Sequence, residues 1–153
     1  MFTESDWKNQ LRDRIRDAEG LIPFLSVTDA LRGTIERLES SKVLPLCVTP
    51  YWLSLARPEP GDPILTQCIP SPREFDPDPW ARPDPLGEGM HRAAPSLVRQ
   101  YRSRALLRAS GECAVSCRHC FRRSLLPSER GYIYLSDPEA VADWLKDRPE
   151  VRE

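Results

Sequence analysis

Residues 113–123 read Cys113-Ala114-Val115-Ser116-Cys117-Arg118-His119-Cys120-Phe121-Arg122-Arg123, with three thiols spaced C-x3-C-x2-C. Thiolates bind iron–sulfur clusters, zinc and other soft metals. Three sulfurs within eight residues converge on one centre only where the backbone curls around it. Three ligands to a four-iron cube leave one iron open, and an open metal position is a place for chemistry. Structural zinc usually shows paired C-x2-C knuckles, whereas this chain has one such pair. A zinc site completed by His119, Cys47 or Cys68 is one alternative to the open cluster, and cysteines with no ligand role are another.

The flanks set this segment between a strand and a helix. Residues 104–110 (Arg104-Ala-Leu-Leu-Arg-Ala-Ser110) read as a short buried strand ended by Gly111, and residues 111–131 as an irregular Cys- and Arg-rich loop. Tyr132-Ile133-Tyr134-Leu135 is a second strand or an extended turn. Ser136-Asp137-Pro138-Glu139 predicts a helix start, with a capping box from Ser136 to Glu139 and Pro138 in the first turn. Ala140, Val141, Trp144 and Leu145 give that helix its apolar face, and Pro149 ends it. Strand, long loop and helix make one β/α unit, which normally packs against a parallel neighbour.

Upstream, Trp7, Leu11, Ile15 and Ala18 recur at helical spacing and predict an amphipathic helix over 4–19, stopped by Gly20. A second helix is expected from Ser26, where Ser26-Val27-Thr28-Asp29 fits a capping box, with Leu31, Ile35 and Leu38 on its apolar face. Residues 45–95 hold 12 of the 16 prolines. Proline removes a backbone donor and restricts its predecessor, so this stretch is expected to be extended or turning. It also carries Tyr51, Trp52, Leu53, Leu55, Ile64, Leu65 and Trp80, which favours an ordered arm wrapped over a core above a solvated linker.

The charge is uneven. The chain of 153 residues carries a net −1, yet Arg92–Arg130 holds nine Arg and two Glu, which implies an anionic ligand near that segment. Of the 22 basic residues only Lys8, Lys42 and Lys146 are lysines. No apolar run approaches the ~20 residues needed to cross a bilayer. Met1–Lys8 lacks the basic and apolar regions of a secretory signal. Five cysteines without such a signal favour a reducing cytoplasm over a disulfide framework. Neither nucleic acid nor membrane is expected as a partner.

The string Cys113-Ala-Val-Ser-Cys117-Arg-His-Cys120-Phe-Arg-Arg resembles the radical S-adenosylmethionine (SAM) signature, and within it the lysine 2,3-aminomutase family, which includes the enzyme that makes β-lysine for elongation factor P. Further stretches are similar in family order. They are Asp6-Trp7-Lys8-Asn9-Gln10-Leu11-Arg12, Val48-Thr49-Pro50-Tyr51-Trp52-Leu53-Ser54-Leu55, Asp62-Pro63-Ile64 with Gln67 and Pro70, Asp84-Pro85-Leu86-Gly87-Glu88, and Leu97-Val98 with Tyr101. The resemblance implies an α/β fold: a helical lead-in over 1–44, a Pro-rich extended arm over 45–98, and from 99–153 the first β/α unit of a truncated partial (β/α)6 barrel.

It also implies roles. Cys113, Cys117 and Cys120 would hold a [4Fe–4S] cluster whose open iron is chelated by SAM. Electron transfer from a low-potential donor would release a 5′-deoxyadenosyl radical for amino migration on lysine or a similar amino acid, bound through pyridoxal phosphate (PLP). Tyr101 and Arg104 match positions around the PLP phosphate, and Arg122 matches the position that pairs with the substrate carboxylate, a task suited to a guanidinium fork. Gln100 stands where the family often has a basic residue, with Arg99 beside it. No Gly-Gly pair is present for the family's SAM-binding turn, and none of the three lysines matches the PLP anchor. A truncated or split frame is therefore expected, inactive alone, with a second chain to complete the barrel. A non-enzymatic zinc- or partner-binding Cys-loop module is the other class of function.

Overall fold

The structure, a computed structural model, describes residues 6–41, 44–123 and 137–153. It divides into two compact units, Met1–Pro79 with Cys113–Arg123, and Trp80–Glu112 with Ser124–Glu153. No helix among the described residues is long and apolar enough to cross a membrane.

The first unit is helical. The helix expected over 4–19 is broken into α1 (Trp7–Arg12) and α2 (Ala18–Leu21), with Gly20 inside α2 instead of ending it. The break has a backbone cause. Ile15 leaves the helical path and exchanges two hydrogen bonds with Val48, at 2.8 and 3.0 Å. Trp7 is 57% exposed, so the predicted stripe is not one buried face. α3 (Asp29–Ser41) buries Ile35 and Leu38 and packs Leu31 partly against the core, as its spacing predicts. Its first turn is capped two residues later than expected: Thr28 Oγ1, not Ser26, accepts from Leu31 N at 3.2 Å.

The proline-rich stretch is ordered, and in this unit three of its prolines start helical turns. α4 (Pro50–Ser54), α5 (Pro63–Cys68) and a single 3-10 turn (Pro72–Phe75) each open on proline. A missing N–H is harmless at the first helical position, and the ring pre-sets φ there. Each proline follows an oxygen cap. Thr49 accepts from Trp52 N, Asp62 from Ile64 N and Leu65 N, and Ser71 from Arg73 N, with Glu74 completing a capping box. The core collects Ile15, Ala18, Leu21, Ile35, Leu46, Val48, Leu53 and Cys68.

The second unit is a small antiparallel sheet with a helix. β1 (Arg92–Ala94), β2 (Leu97–Val98) and β3 (Leu106–Leu107) are in that order, with Leu97 opposite Leu107 and Val98 opposite Leu106. The strand expected over 104–110 is thus present but shorter. It is not buried as expected: Leu106 and Leu107 are 39% and 42% exposed, while the burial falls on Leu97 and Val98 of β2. The Asp84–Glu88 stretch closes as a turn in which the Asp84 carboxylate accepts from Glu88 N and Gly89 N, with Gly87 at φ 66°.

α6 (Pro138–Lys146) buries Val141 and packs on β1. Asp137 caps it, accepting from Ala140 N at 2.8 Å, so the cap lies one residue after the expected Ser136. Ser136 and Tyr132–Leu135 lie outside the described residues. Arg99 ties the turn before β3 together. Its guanidinium donates to the Tyr101 and Arg102 carbonyls and to Glu150 at 2.8 Å, and it lies over the Trp144 ring.

Candidate metal centre

The cysteine segment is held by backbone pairing before any side chain acts. Val48, fully buried, bridges Ile15 on one side and Val115 on the other, both antiparallel. Around it Thr49 N donates to the Ala114 carbonyl at 2.9 Å and Ser116 N to the Cys47 carbonyl at 2.6 Å. Residues 114–116 therefore lie as an extra strand-like rung on the segment that forms the first unit's core. Val115, partly buried, packs against that core. Arg14 Nη1 donates to the Cys113 carbonyl at 3.1 Å, which fixes the entry to the loop.

The chain then curls. Cys120 N donates to the Cys117 carbonyl at 2.9 Å and Arg123 N to the Cys120 carbonyl at 3.3 Å. Arg118 N donates to the Gln67 carbonyl at 2.8 Å, and the Gln67 side-chain amide donates to Cys117 Sγ at 3.1 Å. The Arg118 guanidinium turns inward. Its Nε and Nη2 form a fork on the Glu74 carboxylate, and Nη1 donates to the Leu44 carbonyl at 2.9 Å. Both side chains are largely buried, at 8% and 17% exposure. A buried charge needs such pairing, because an unpaired one costs several kcal/mol.

All five thiols are free. Cys113 is exposed, Cys117 and Cys120 are half-buried, and His119 is exposed. Partial burial pushes the Cys113 thiol up, with the neighbouring thiols of Cys120, Cys117 and Cys47 adding to the effect. Burial pushes the Cys68 thiol up to about 11, and Cys117 acts in the same direction. Cys47 and Cys68, isolated in sequence, are thus electrostatic neighbours of the loop, although both are buried in the core. Among the described residues no group of three His, Cys, Asp or Glu side chains stands in a metal-holding arrangement. The donor chemistry nevertheless fits a thiolate-bound group: three free sulfurs share one curled, backbone-anchored segment.

The remaining expected site residues fall in both units. Arg122 is in the first unit, half-buried, with its guanidinium 5.1 Å from the centroid of the Phe121 ring. Tyr101 and Arg104 are in the second unit, both exposed and in contact, with the guanidinium 5.0 Å from the tyrosine ring centroid. A guanidinium beside a phenol suits a phosphate. Residue patterns alone do not find Arg118, Glu74 or Arg14. Gln67 enters only through the resemblance.

No family model matches the chain. Curated relatives do. The chain is 31% identical over 150 residues to the L-lysine 2,3-aminomutase of Acetoanaerobium sticklandii, covering 97% of this chain and 36% of that protein. It is 36% identical over 122 residues to the L-lysine 2,3-aminomutase of Escherichia coli, 79% of this chain and 35% of that protein. It is 30% identical over 155 residues to the glutamate 2,3-aminomutase of Clostridioides difficile, 99% of this chain and 36% of that protein. The chain spans about a third of the length of these relatives.

Proposed function

We propose, from the premise that this chain belongs to the lysine 2,3-aminomutase family, that it provides the cluster-binding segment of a radical SAM aminomutase. The observation that carries this reading is the attachment of the C-x3-C-x2-C segment to the core through Val48 and Val115. Cys113, Cys117 and Cys120 would hold the [4Fe–4S] cluster. When bound, the cluster supplies the low-potential electron that cleaves SAM, and PLP supplies the ring past which an amino group migrates.

The chain's own residues take the anionic parts. Arg122 would bind the carboxylate of an amino acid substrate, lysine or a similar one, through two parallel N–H donors. Arg104 would bind the PLP phosphate as a fixed cation, with the Tyr101 hydroxyl as a second donor. A barrel of β/α units, of which 99–153 would supply the first, would be completed by further chain or by a second polypeptide. The chain would work in a reducing cytoplasm beside a low-potential electron donor.

Anaerobic reconstitution with iron and sulfide, followed by metal analysis and Mössbauer spectroscopy, tests this. The expected result is about four iron per chain with cubane-type parameters, the cluster class that cysteine thiolates hold. Stoichiometric zinc in tetrahedral sulfur coordination, without iron uptake, would replace this reading with that of a zinc module.

A further inference from the structure

We propose that Gln67 is a positioning residue for Cys117, tuning the electron affinity of whatever cluster that thiolate holds; this rests on the function proposed above. The Gln67 side-chain amide donates to Cys117 Sγ at 3.1 Å, across 50 residues of sequence. Hydrogen bonds to ligand sulfurs are one of the levers that set iron–sulfur potentials. Partners of the ligating atoms also fix ligand orientation. A donor facing an anionic sulfur stabilises the added electron, so its loss makes reduction harder.

The surroundings hold Gln67 in that role from both ends. Its carbonyl accepts from Arg118 N at 2.8 Å, the residue next to Cys117. Arg118 is itself fixed by Glu74 and the Leu44 carbonyl. The helix carrying Gln67 is capped by Asp62, which accepts from Ile64 N and Leu65 N at 3.0 Å each. The side-chain contact to sulfur and the main-chain contact beside it thus form one closed link between α5 and the cysteine loop. A Gln at this position that served packing alone would not need its amide on the sulfur.

The test compares the 153-residue chain with Gln67→Leu, Gln67→Glu and a Thr66→Ala control on the same helix. Each is reconstituted anaerobically, its iron counted, and its midpoint potential measured by EPR-monitored titration. Leucine removes the donor, and glutamate replaces it with a negative charge. The expected order, from least to most negative, is wild type with Thr66→Ala, then Gln67→Leu, then Gln67→Glu, at unchanged iron content. Iron uptake with the wild-type potential in both Gln67 variants would overturn the role of Gln67 and leave the proposed function standing. A wild-type chain that takes up no iron would overturn the proposed function, and the role of Gln67 with it.

Discussion

Arg118 and Glu74 meet as a two-pronged ion pair across 44 residues of sequence, with the guanidinium 8% and the carboxylate 17% exposed. The pair joins the cysteine loop to the 3-10 turn at Pro72–Phe75, and the third Arg118 donor reaches the Leu44 carbonyl. Removing one partner of a buried pair leaves an uncompensated charge, which typically costs ~3–5 kcal/mol. Glu74→Ala is therefore expected to lose about that much stability in urea unfolding. Glu74→Gln, which keeps a neutral acceptor, loses less. A Glu74→Leu, Arg118→Met double variant should recover most of the loss, because replacing both partners by apolar groups is often close to neutral.

Gly20 gives a prediction whose sign helix propensity alone would miss. A Cβ there would lie 2.8 Å from Ile15 Cγ2 and 3.3 Å from Asp17 Oδ1. Ile15 is buried and held by its bridge to Val48, so it has little room to yield. Glycine to alanine in a helix interior gains up to ~1 kcal/mol, whereas overpacking costs ~1–3 kcal/mol. Gly20→Ala should lower Tm, with a net loss of about 1 kcal/mol. A raised Tm would contradict this account of the α1–α2 break.

Asp62 sets a pH dependence at the base of α5. The backbone N–H of Leu65 holds its carboxyl below the ordinary range, with Arg57 N–H, Ile64 N–H and the Arg57 charge adding to the effect. A carboxyl lowered by folding adds stability that is present above its unfolded value near pH 4 and is lost as pH falls through the folded value. Asp62→Asn keeps a capping oxygen but cannot titrate. Its urea midpoint should therefore fall less than the wild type's between pH 5 and pH 3.

Thiol reactivity should separate the cysteines. Cys113 is exposed, whereas Cys68 is 1% exposed with its thiol pushed up to about 11. At pH 8 a thiol near 11 holds on the order of a hundredth of the thiolate of an ordinary cysteine. Iodoacetamide mapping by mass spectrometry should find Cys113 modified first. Cys68, buried in the core, should lag Cys113 until the chain is unfolded.

What the sequence reveals here follows the range of the interaction. α3 is legible because Leu31, Ile35 and Leu38 repeat at the helical period and nothing competes for its backbone. The stretch through Ile15 satisfies the same period but fails, because Val48 supplies a backbone partner that the pattern does not record. The prolines at 50, 63 and 72 look like breakers until the preceding Thr49, Asp62 and Ser71 are read as caps. The cysteine triplet is local and therefore plain. The hold of Gln67 on Cys117 and of Glu74 on Arg118 joins distant segments, which no spacing rule reaches.

EPR spectroscopy of the dithionite-reduced, reconstituted chain, with each of the five cysteines changed to alanine in turn, decides which thiols hold the cluster. A [4Fe–4S] signal is expected in the wild type, in Cys47→Ala and in Cys68→Ala. That signal is expected to be lost in Cys113→Ala, Cys117→Ala and Cys120→Ala. A signal that survives loss of a loop cysteine, or one that needs Cys47 or Cys68 instead, would rule out a cluster held by Cys113, Cys117 and Cys120.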